Sequence, residues 1–335
     1  MKNCLIVINK FAGTSKKINF DKVEKCLGDD YDYTHLTIPT DNFDKNSKKS
    51  FDIPEDLSKF NAIAVCGGDG TLGSILHKVC KMPLDLFYFP VGTLNDKAKS
   101  QRYEKHKSSC PTCKDRKSNA KPVVYGKVER ILPSKSDYQP ISADARQKGV
   151  TNSSGEDTGS VFAYVFAAGS FTPIGYTSNV KNKKKFGVLA YLAKVIEQYK
   201  PHRINASIKC DNHTHEGEFT LIMFVKSPRC FGFHFNKAFD GDKQSGHLVA
   251  IRAPKHRGLL GYIEMFFPFF RVFFMGLKKE RASGTIVFEE SKHISLTLKT
   301  NVDFCRDGEK QTLDKGEYSL VFQKSICNFS VIEKF

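Results

Sequence analysis

Long apolar runs are missing from this 335-residue chain. No uninterrupted hydrophobic span reaches the length that crosses a bilayer, so no transmembrane segment is expected. No leader-like segment comes first either, because Met1 runs straight into the strand-like stretch Cys4 to Ile8. A cytoplasmic protein is the expectation, and its ten cysteines are then reduced thiols rather than disulfides. Cys4, Cys66 and Cys80 lie inside apolar periodic runs, as buried thiols do. Acidic residues are in deficit: 36 Asp and Glu face 52 Lys and Arg, a net charge of +16. That surplus suits a polyanion, whether nucleotide, nucleic acid or anionic membrane, although a lysine-rich proteome accounts for it equally well. No internal repeat is visible, which leaves out arrays and solenoids.

The chain is long enough for two domains, each with its own core. The first hundred residues alternate strand and helix signals. Cys4 to Ile8, Tyr31 to Ile38, Ala62 to Cys66 and Leu84 to Phe89 read as strands, with helical stretches near Phe20 to Leu27 and Leu72 to Cys80. This is the pattern of an open, mostly parallel sheet. Lys97 to about Gly159 is polar, with one strand at Val123 to Ile131. Cys110-Pro111-Thr112-Cys113 and His106 offer two or three zinc ligands where a structural site needs four, so a solvated loop is the plainer account. From Val161 onward short β-rich runs dominate: Val161 to Ala167, Asn205 to Cys210, Glu218 to Val225, His247 to Ala253, Thr285 to Glu289, His293 to Leu298 and Tyr318 to Gln323. They suggest an antiparallel sandwich or barrel, interrupted by a helix over Phe186 to Tyr199.

Gly67-Gly68-Asp69-Gly70-Thr71 carries the most chemistry. It follows an apolar strand and precedes a helix, so backbone N–H groups can approach phosphate oxygens at the positive end of a helix dipole. Asp69 adds a carboxylate where magnesium would need an oxygen. Pro90-Val91-Gly92-Thr93-Leu94-Asn95-Asp96 is a second glycine turn after a strand, and Asn9-Lys10-Phe11-Ala12-Gly13-Thr14 a third. Turns at the carboxyl ends of neighbouring parallel strands face one crevice. A nucleotide-dependent phosphotransferase follows. The plainer account makes Asp69 a cap of the following helix, and Asn95-Asp96 can cap as well.

The two glycine motifs, Gly67 to Leu72 and Pro90 to Asp96, resemble the diacylglycerol kinase catalytic family, which includes soluble bacterial lipid kinases, sphingosine kinases and ceramide kinases. Asn9 to Gly13 is similar to its first loop, with Lys10 in place of the usual proline. Phe166 to Tyr176, Phe186-Gly187 and Ala190-Tyr191 resemble the bacterial branch. Asp307-Gly308-Glu309 looks like its Asp-Gly-Glu motif. The resemblance implies an ATP-binding α/β domain over 1–120 with an open, mostly parallel sheet. A β-sandwich lipid-substrate domain over 121–314 follows, and the chain end, roughly 315–335, returns to the first domain. It implies that Gly67, Gly68, Asp69, Gly70, Thr71, Leu72, Gly73 and Thr93 line the nucleotide, with Asn9, Gly13 and Asn95 nearby. Thr40 is the contact from the second strand's end, with Thr37 its competitor. Glu309 is the implied general base, its plainer account a surface hairpin acid. Asp69 holds the phosphate-bound Mg2+, directly or through water. The family's second-domain magnesium site maps onto Asp242, Ser245 and His247. Ser245 replaces its key acid, which leaves that site partly degenerate.

Gly258 to Leu277 is rich in phenylalanine and bracketed by Lys255, Arg257, Lys278 and Lys279. Glu264, Pro268 and Arg271 argue against a spanning helix. A buried cover for a β-rich domain is slightly favoured over an interfacial segment, and both hold if one face is core and the other contacts acyl chains. Lys181 to Lys185 could meet anionic headgroups, with a solvated turn as the simpler account. The expected function is ATP-dependent transfer of the γ-phosphate to diacylglycerol or a similar lipid alcohol, giving phosphatidic acid or an analogue. The expected partner is a lipid substrate at the inner face of the membrane, visited transiently, with no nucleic acid; a homodimer is left open. The competing readings are an NAD kinase, which also carries the Gly-Gly-Asp-Gly-Thr turn, and a non-catalytic nucleotide- or lipid-binding regulator on the same fold.

Overall fold

Apolar side chains on both faces of a strand require cover on both faces. β1 (Lys2–Asn9), β3 (Ala62–Gly67) and β4 (Asp85–Pro90) are of this kind and are buried along most of their length. The structure is a computed structural model that describes residues 1–38, 53–54, 56–105, 120–131, 159–170 and 202–332. With β2 (Tyr31–Ile38) at the edge, the strands lie in the order β2-β1-β3-β4, every pair parallel. The helices α1 (Phe20–Leu27), α2 (Asp69–Val79) and α3 (Asp96–Lys105) alternate with them along the chain. Asn19 caps α1 by accepting from the Lys22 N–H, and Gly28 ends it at φ 82°, a backbone that favours glycine. α2 begins at Asp69, three residues before the expected start, so the second half of the glycine motif is the helix's own first turn.

The remaining strands are β5 (Lys121–Ile131), β6 (Ser160–Phe162), β7 (Val165–Gly169), β8 (Ile204–Lys209), β9 (Thr214–Val225), the short β10 (Arg229–Cys230) and β11 (Phe233–His234), β12 (Gly246–Arg252), β13 (Ile286–Ser291), β14 (His293–Leu298), β15 (Val302–Arg306), β16 (Glu309–Leu313) and β17 (Gly316–Val331). They pair antiparallel with one another. The run expected from Val161 to Ala167 is two strands, and β15 and β16 appear where none was expected. The mixed architecture, parallel at the amino end and antiparallel afterwards, agrees with the expected fold class.

β17 joins the two regions. Its sixteen residues reach about 50 Å as an extended strand. Gly316 to Val321 pairs with β14, Glu317 to Phe329 with β5, and Asn328 to Val331 runs parallel to β4. Its register with β5 slips between Lys324 and Asn328, where the Ser325 hydroxyl accepts the Val123 N–H at 2.9 Å. One cluster of buried side chains runs from Ile75 and Tyr88 through Tyr164 to Met223 and Phe288, so the halves share a core. A second, antiparallel core stacks Phe166 on Phe304 at 4.4 Å between ring centroids.

α4 (Gly258–Phe270) continues into a wider turn at Arg271–Met275. Pro268 has no N–H to give the preceding turn, which loosens the ladder there. Gly261, Met265, Pro268, Phe269, Val272 and Phe273 face inward, as a cover should. The other face is open, so the segment is a cover on one side and unburied on the other. Leu259, Leu260, Ile263, Phe266, Phe267, Phe270, Phe274 and Met275 are eight of the twelve large apolar side chains exposed among the described residues, so exposure is concentrated on one element. By length and composition alone, the eighteen residues Gly258–Met275 could cross a membrane, and a third of them are buried. The expected helix over Phe186 to Tyr199, the Lys181 to Lys185 cluster and Cys110, Cys113 and His106 lie outside the described residues.

Candidate functional site

Three loops leave the carboxyl ends of β1, β3 and β4, and they touch. A Cβ built on Gly92 would stand 2.5 Å from the Gly68 Cα, and one on Gly13 would stand 2.8 Å from Thr93 Oγ1. The contact between the loops therefore needs glycine at 13 and 92. Backbone bonds fix the contact: the Val91 N–H donates to the Gly67 carbonyl at 3.0 Å, and the Thr14 N–H to the Val91 carbonyl at 2.8 Å. Asn9 reaches across from β1 and donates from Nδ2 to Thr71 Oγ1 at 2.8 Å, while its Oδ1 accepts the Phe11 N–H. Asn95 sits at φ 51° and donates to the Pro90 and Gly92 carbonyls at 3.2 and 3.0 Å, closing its own turn. Gly68 stands at the N-cap of α2 and has no side chain to accept the first-turn N–H groups. Thr93 is exposed beside them. The result is a backbone cradle at a helix N-terminus, suited to phosphate.

Not every residue expected at the nucleotide has its side chain there. Leu72 is buried in the shared core. Gly70 and Gly73 face the Asp307 turn: a Cβ on Gly73 would stand 2.7 Å from Asp307 Oδ2, and one on Gly70 would stand 3.2 Å from the Asp307 carbonyl. These two glycines admit a neighbouring turn onto the helix. Thr40 lies outside the described residues, whereas Thr37 is half-buried on β2.

Asp69 is buried and both of its oxygens are engaged. Oδ2 accepts the Asp96 N–H at 2.8 Å and Oδ1 the Lys97 N–H at 3.0 Å. It thus caps α3, not the helix it belongs to. Burial, then the neighbouring Asp96 charge, push its carboxyl up to about 7, against the pull of those two N–H donors. Asp96 is itself buried and held up chiefly by burial; its Oδ2 accepts the Gly232 N–H at 2.9 Å. Asp96 Oδ1 has no hydrogen bond, with Arg229 Nε 3.6 Å away.

Asp307 and Glu309 come from the hairpin between β15 and β16. Asp307 adopts φ 48°, and its carboxylate accepts the N–H groups of Ala163 at 2.5 Å and of Tyr164 and Val165 at 3.0 Å each. Burial raises it to about 6 in spite of these donors. The anchored turn delivers Glu309 to α2. Glu309 Oε1 accepts from the Ser74 hydroxyl at 2.8 Å and Oε2 from Arg306 Nη2 at 2.8 Å. Arg306 is held in turn by Ser160, to which its Nη1 donates at 2.9 Å. Sequence reasoning missed Ser74, Arg306 and Ser160. Ser74 carries a signal in hindsight: it lies one turn beyond Gly70, on the same face of α2.

The residues expected at a second-domain magnesium site have other partners. Ser245 donates to Glu290 Oε1 at 2.5 Å, and Lys243 Nζ to Glu290 Oε2 at 2.9 Å. The buried Lys226 donates from Nζ to the Asp240 and Lys243 carbonyls at 2.7 and 2.6 Å, so an ammonium ion ties this loop. His247 stacks on Phe288 at 4.8 Å, and burial pushes its imidazole down to about 4. Asp242 is exposed at the same loop.

Residues 3–128 match the family model described as the diacylglycerol kinase catalytic domain. The "Putative lipid kinase" of Streptococcus pneumoniae serotype 4 (strain ATCC BAA-334 / TIGR4) is 20% identical over 231 residues, 67% of this chain and 67% of that protein. The fold is similar to the crystal structure of a diacylglycerol kinase from Bacillus anthracis str. Sterne, with a TM-score of 0.57 and 15% identity over 98% of this chain and 96% of that one. It is similar also to "A putative diacylglycerol kinase" from the same strain, with a TM-score of 0.62 and 19% identity over 99% of this chain and 97% of that one. The family that the glycine motifs resemble is the one whose model matches residues 3–128, and the similar folds and the relative carry names of the same kind.

Proposed function

We propose that the chain is an ATP-dependent lipid kinase that transfers the γ-phosphate to the free hydroxyl of diacylglycerol or a similar amphiphile, giving phosphatidic acid or its analogue. The observation that carries this reading is the seating of Glu309 on Ser74 of α2, the helix whose first turn forms the phosphate cradle. A carboxylate beside bound phosphates is what proton removal from an acceptor hydroxyl needs.

The steps fall to particular atoms. First-turn N–H groups of α2 and the turns at Gly13 and Gly92 hold the phosphates. Glu309 accepts the proton of the attacking hydroxyl, and Arg306 and Ser74 keep both of its oxygens oriented. Magnesium, when bound with the nucleotide, neutralises phosphate charge. The residues fit it as an ion reached through water, since both Asp69 oxygens already accept backbone N–H groups. Asp69 then acts at one remove, holding α3 and the Gly92 turn in place.

The lipid is met at a cytoplasmic membrane surface. The outward apolar face of α4, with Lys255 and Arg257 at one end and Lys278 and Lys279 at the other, favours lying in the headgroup layer. The test is transfer of labelled γ-phosphate to a panel of lipid alcohols in mixed vesicles, with NAD as a parallel acceptor. Product on a lipid is the expected result. Product on NAD alone would move the reading to a dinucleotide kinase, and ATP binding without transfer would move it to a regulator.

A further inference from the structure

The tight turn between β8 and β9 brings together side chains that the kinase reading does not use. The Cys210 N–H donates to the His213 carbonyl at 2.8 Å, so the four residues Cys210 to His213 form the turn, and His215 follows on β9. Glu289 on β13 reaches the same point. Its Oε2 lies 2.8 Å from His215 Nε2 and its Oε1 3.0 Å from His213 Nδ1. Cys210, His215 and Glu289 are all at most 3% exposed, and one ligand atom from each lies within 4.8 Å of the others.

Two features make this more than a hydrogen-bonded corner. The first is charge. Glu289 is a carboxylate removed from water, and its ion-pair partners among the described residues are the two imidazoles; no lysine or arginine joins them. A buried anion without a fixed cation is costly. The second is the donor set. Thiolate, imidazole and carboxylate together are the ligands of zinc-type ions, whereas magnesium and calcium take oxygen. Two ligands at about 2.0 Å from a tetrahedral ion stand about 3.3 Å apart, so the Nε2–Oε2 pair needs only a small opening.

We propose that Cys210, His215 and Glu289 bind a divalent transition ion of the zinc type, with His213 orienting the carboxylate through its other oxygen. The ion clips the β8–β9 turn to β13, with water as the fourth ligand where the protein supplies three. Its entry replaces the proton between His215 and Glu289 and releases the Cys210 proton to solvent, leaving a thiolate ligand. Burial and the Glu289 charge push the Cys210 thiol up, so the metal-free corner holds a neutral thiol.

Cobalt titration of the full chain tests this. Cys110→Ser and Cys113→Ser are introduced first, so that these two cysteines, three residues apart in the sequence, cannot supply a signal. After chelator treatment, one equivalent of Co2+ should produce a thiolate-to-cobalt charge-transfer band that Zn2+ abolishes. Adding Cys210→Ser should remove the band, Glu289→Gln should weaken binding more than tenfold, and His213→Ala should weaken it by about 10- to 100-fold. Absence of a stoichiometric band in the parent protein overturns the assignment without reference to any variant at the site. A band that survives Cys210→Ser overturns it as well.

Discussion

Ser74 shows how one hydroxyl can decide where a carboxylate rests. Glu309 has a flexible side chain, and its position on α2 depends on a 2.8 Å bond from Ser74 and a 2.8 Å bond from Arg306. Under the lipid kinase reading, Glu309→Gln should lower kcat by about 10²- to 10⁴-fold with the KM for ATP little changed. Ser74→Ala should lower kcat by about tenfold, and Ser74→Thr should restore most of it, because a hydroxyl returns. Steady-state kinetics on vesicle-presented lipid would read this, and an unaltered kcat in Glu309→Gln would remove Glu309 from the chemistry. The glycine turns and the Asp-Gly-Glu turn are legible in the sequence because short motifs mark them. Ser74 and Arg306 are not, since an ordinary helical serine and a strand arginine gain their roles only when distant segments meet. The same holds for Gly70 and Gly73, which read as part of a phosphate loop yet receive the Asp307 turn.

Among the elements, β1, β3 and β4 are legible because apolar runs buried on both faces leave few alternatives. β15 is not, since Asp303 and Arg306 break the run Val302 to Arg306 into a half-exposed strand. α4 is the instructive case. Its composition is apolar on all sides, and sequence favours burial, but the structure covers only one face. Phe266, Phe270 and Phe274 form a ladder on the open side, with ring centroids 6.1 and 5.2 Å apart. Replacing these three with serine should reduce sedimentation with anionic vesicles severalfold, and the remaining binding should weaken further with salt. Thermal stability should change little, about 0.5 kcal/mol or less per site, because exposed side chains contribute little to folding. A large loss of stability with unchanged vesicle binding would show that the face is covered in solution, as by a second copy of the chain.

For the molecule as a whole, pH bears on stability through its buried acids. Asp69 is raised to about 7 and Asp307 to about 6, from an ordinary value of 3.8. A raised carboxyl favours the fold most fully below its unfolded value, and that contribution is lost as pH climbs through the folded one. Each unit is worth about 1.4 kcal/mol. His247, pushed down to about 4, acts in the opposite sense, so wild type is best compared with Asp69→Asn, in which that opposing effect cancels. Between pH 5 and pH 8 the wild type should lose about 1–3 kcal/mol relative to the variant in urea unfolding. A difference that stays constant over this window would mean that Asp69 is ionised throughout.

β17 has a consequence in time as well as in space. The parallel sheet places β4 next to residues 328–331, so the edge of a sheet begun by residue 2 is closed only near residue 331. On the ribosome the loops at Gly13, Gly68 and Gly92 are made early, and the strand that completes their support leaves the exit tunnel some 240 residues after β4. A nascent chain would therefore carry an open strand edge until residues 328–331 emerge, with chaperone shielding the expected remedy. The turns at Gly13, Gly68 and Gly92 would gain their full support only once residues 328–331 have emerged, so a product cut short before them would lack it.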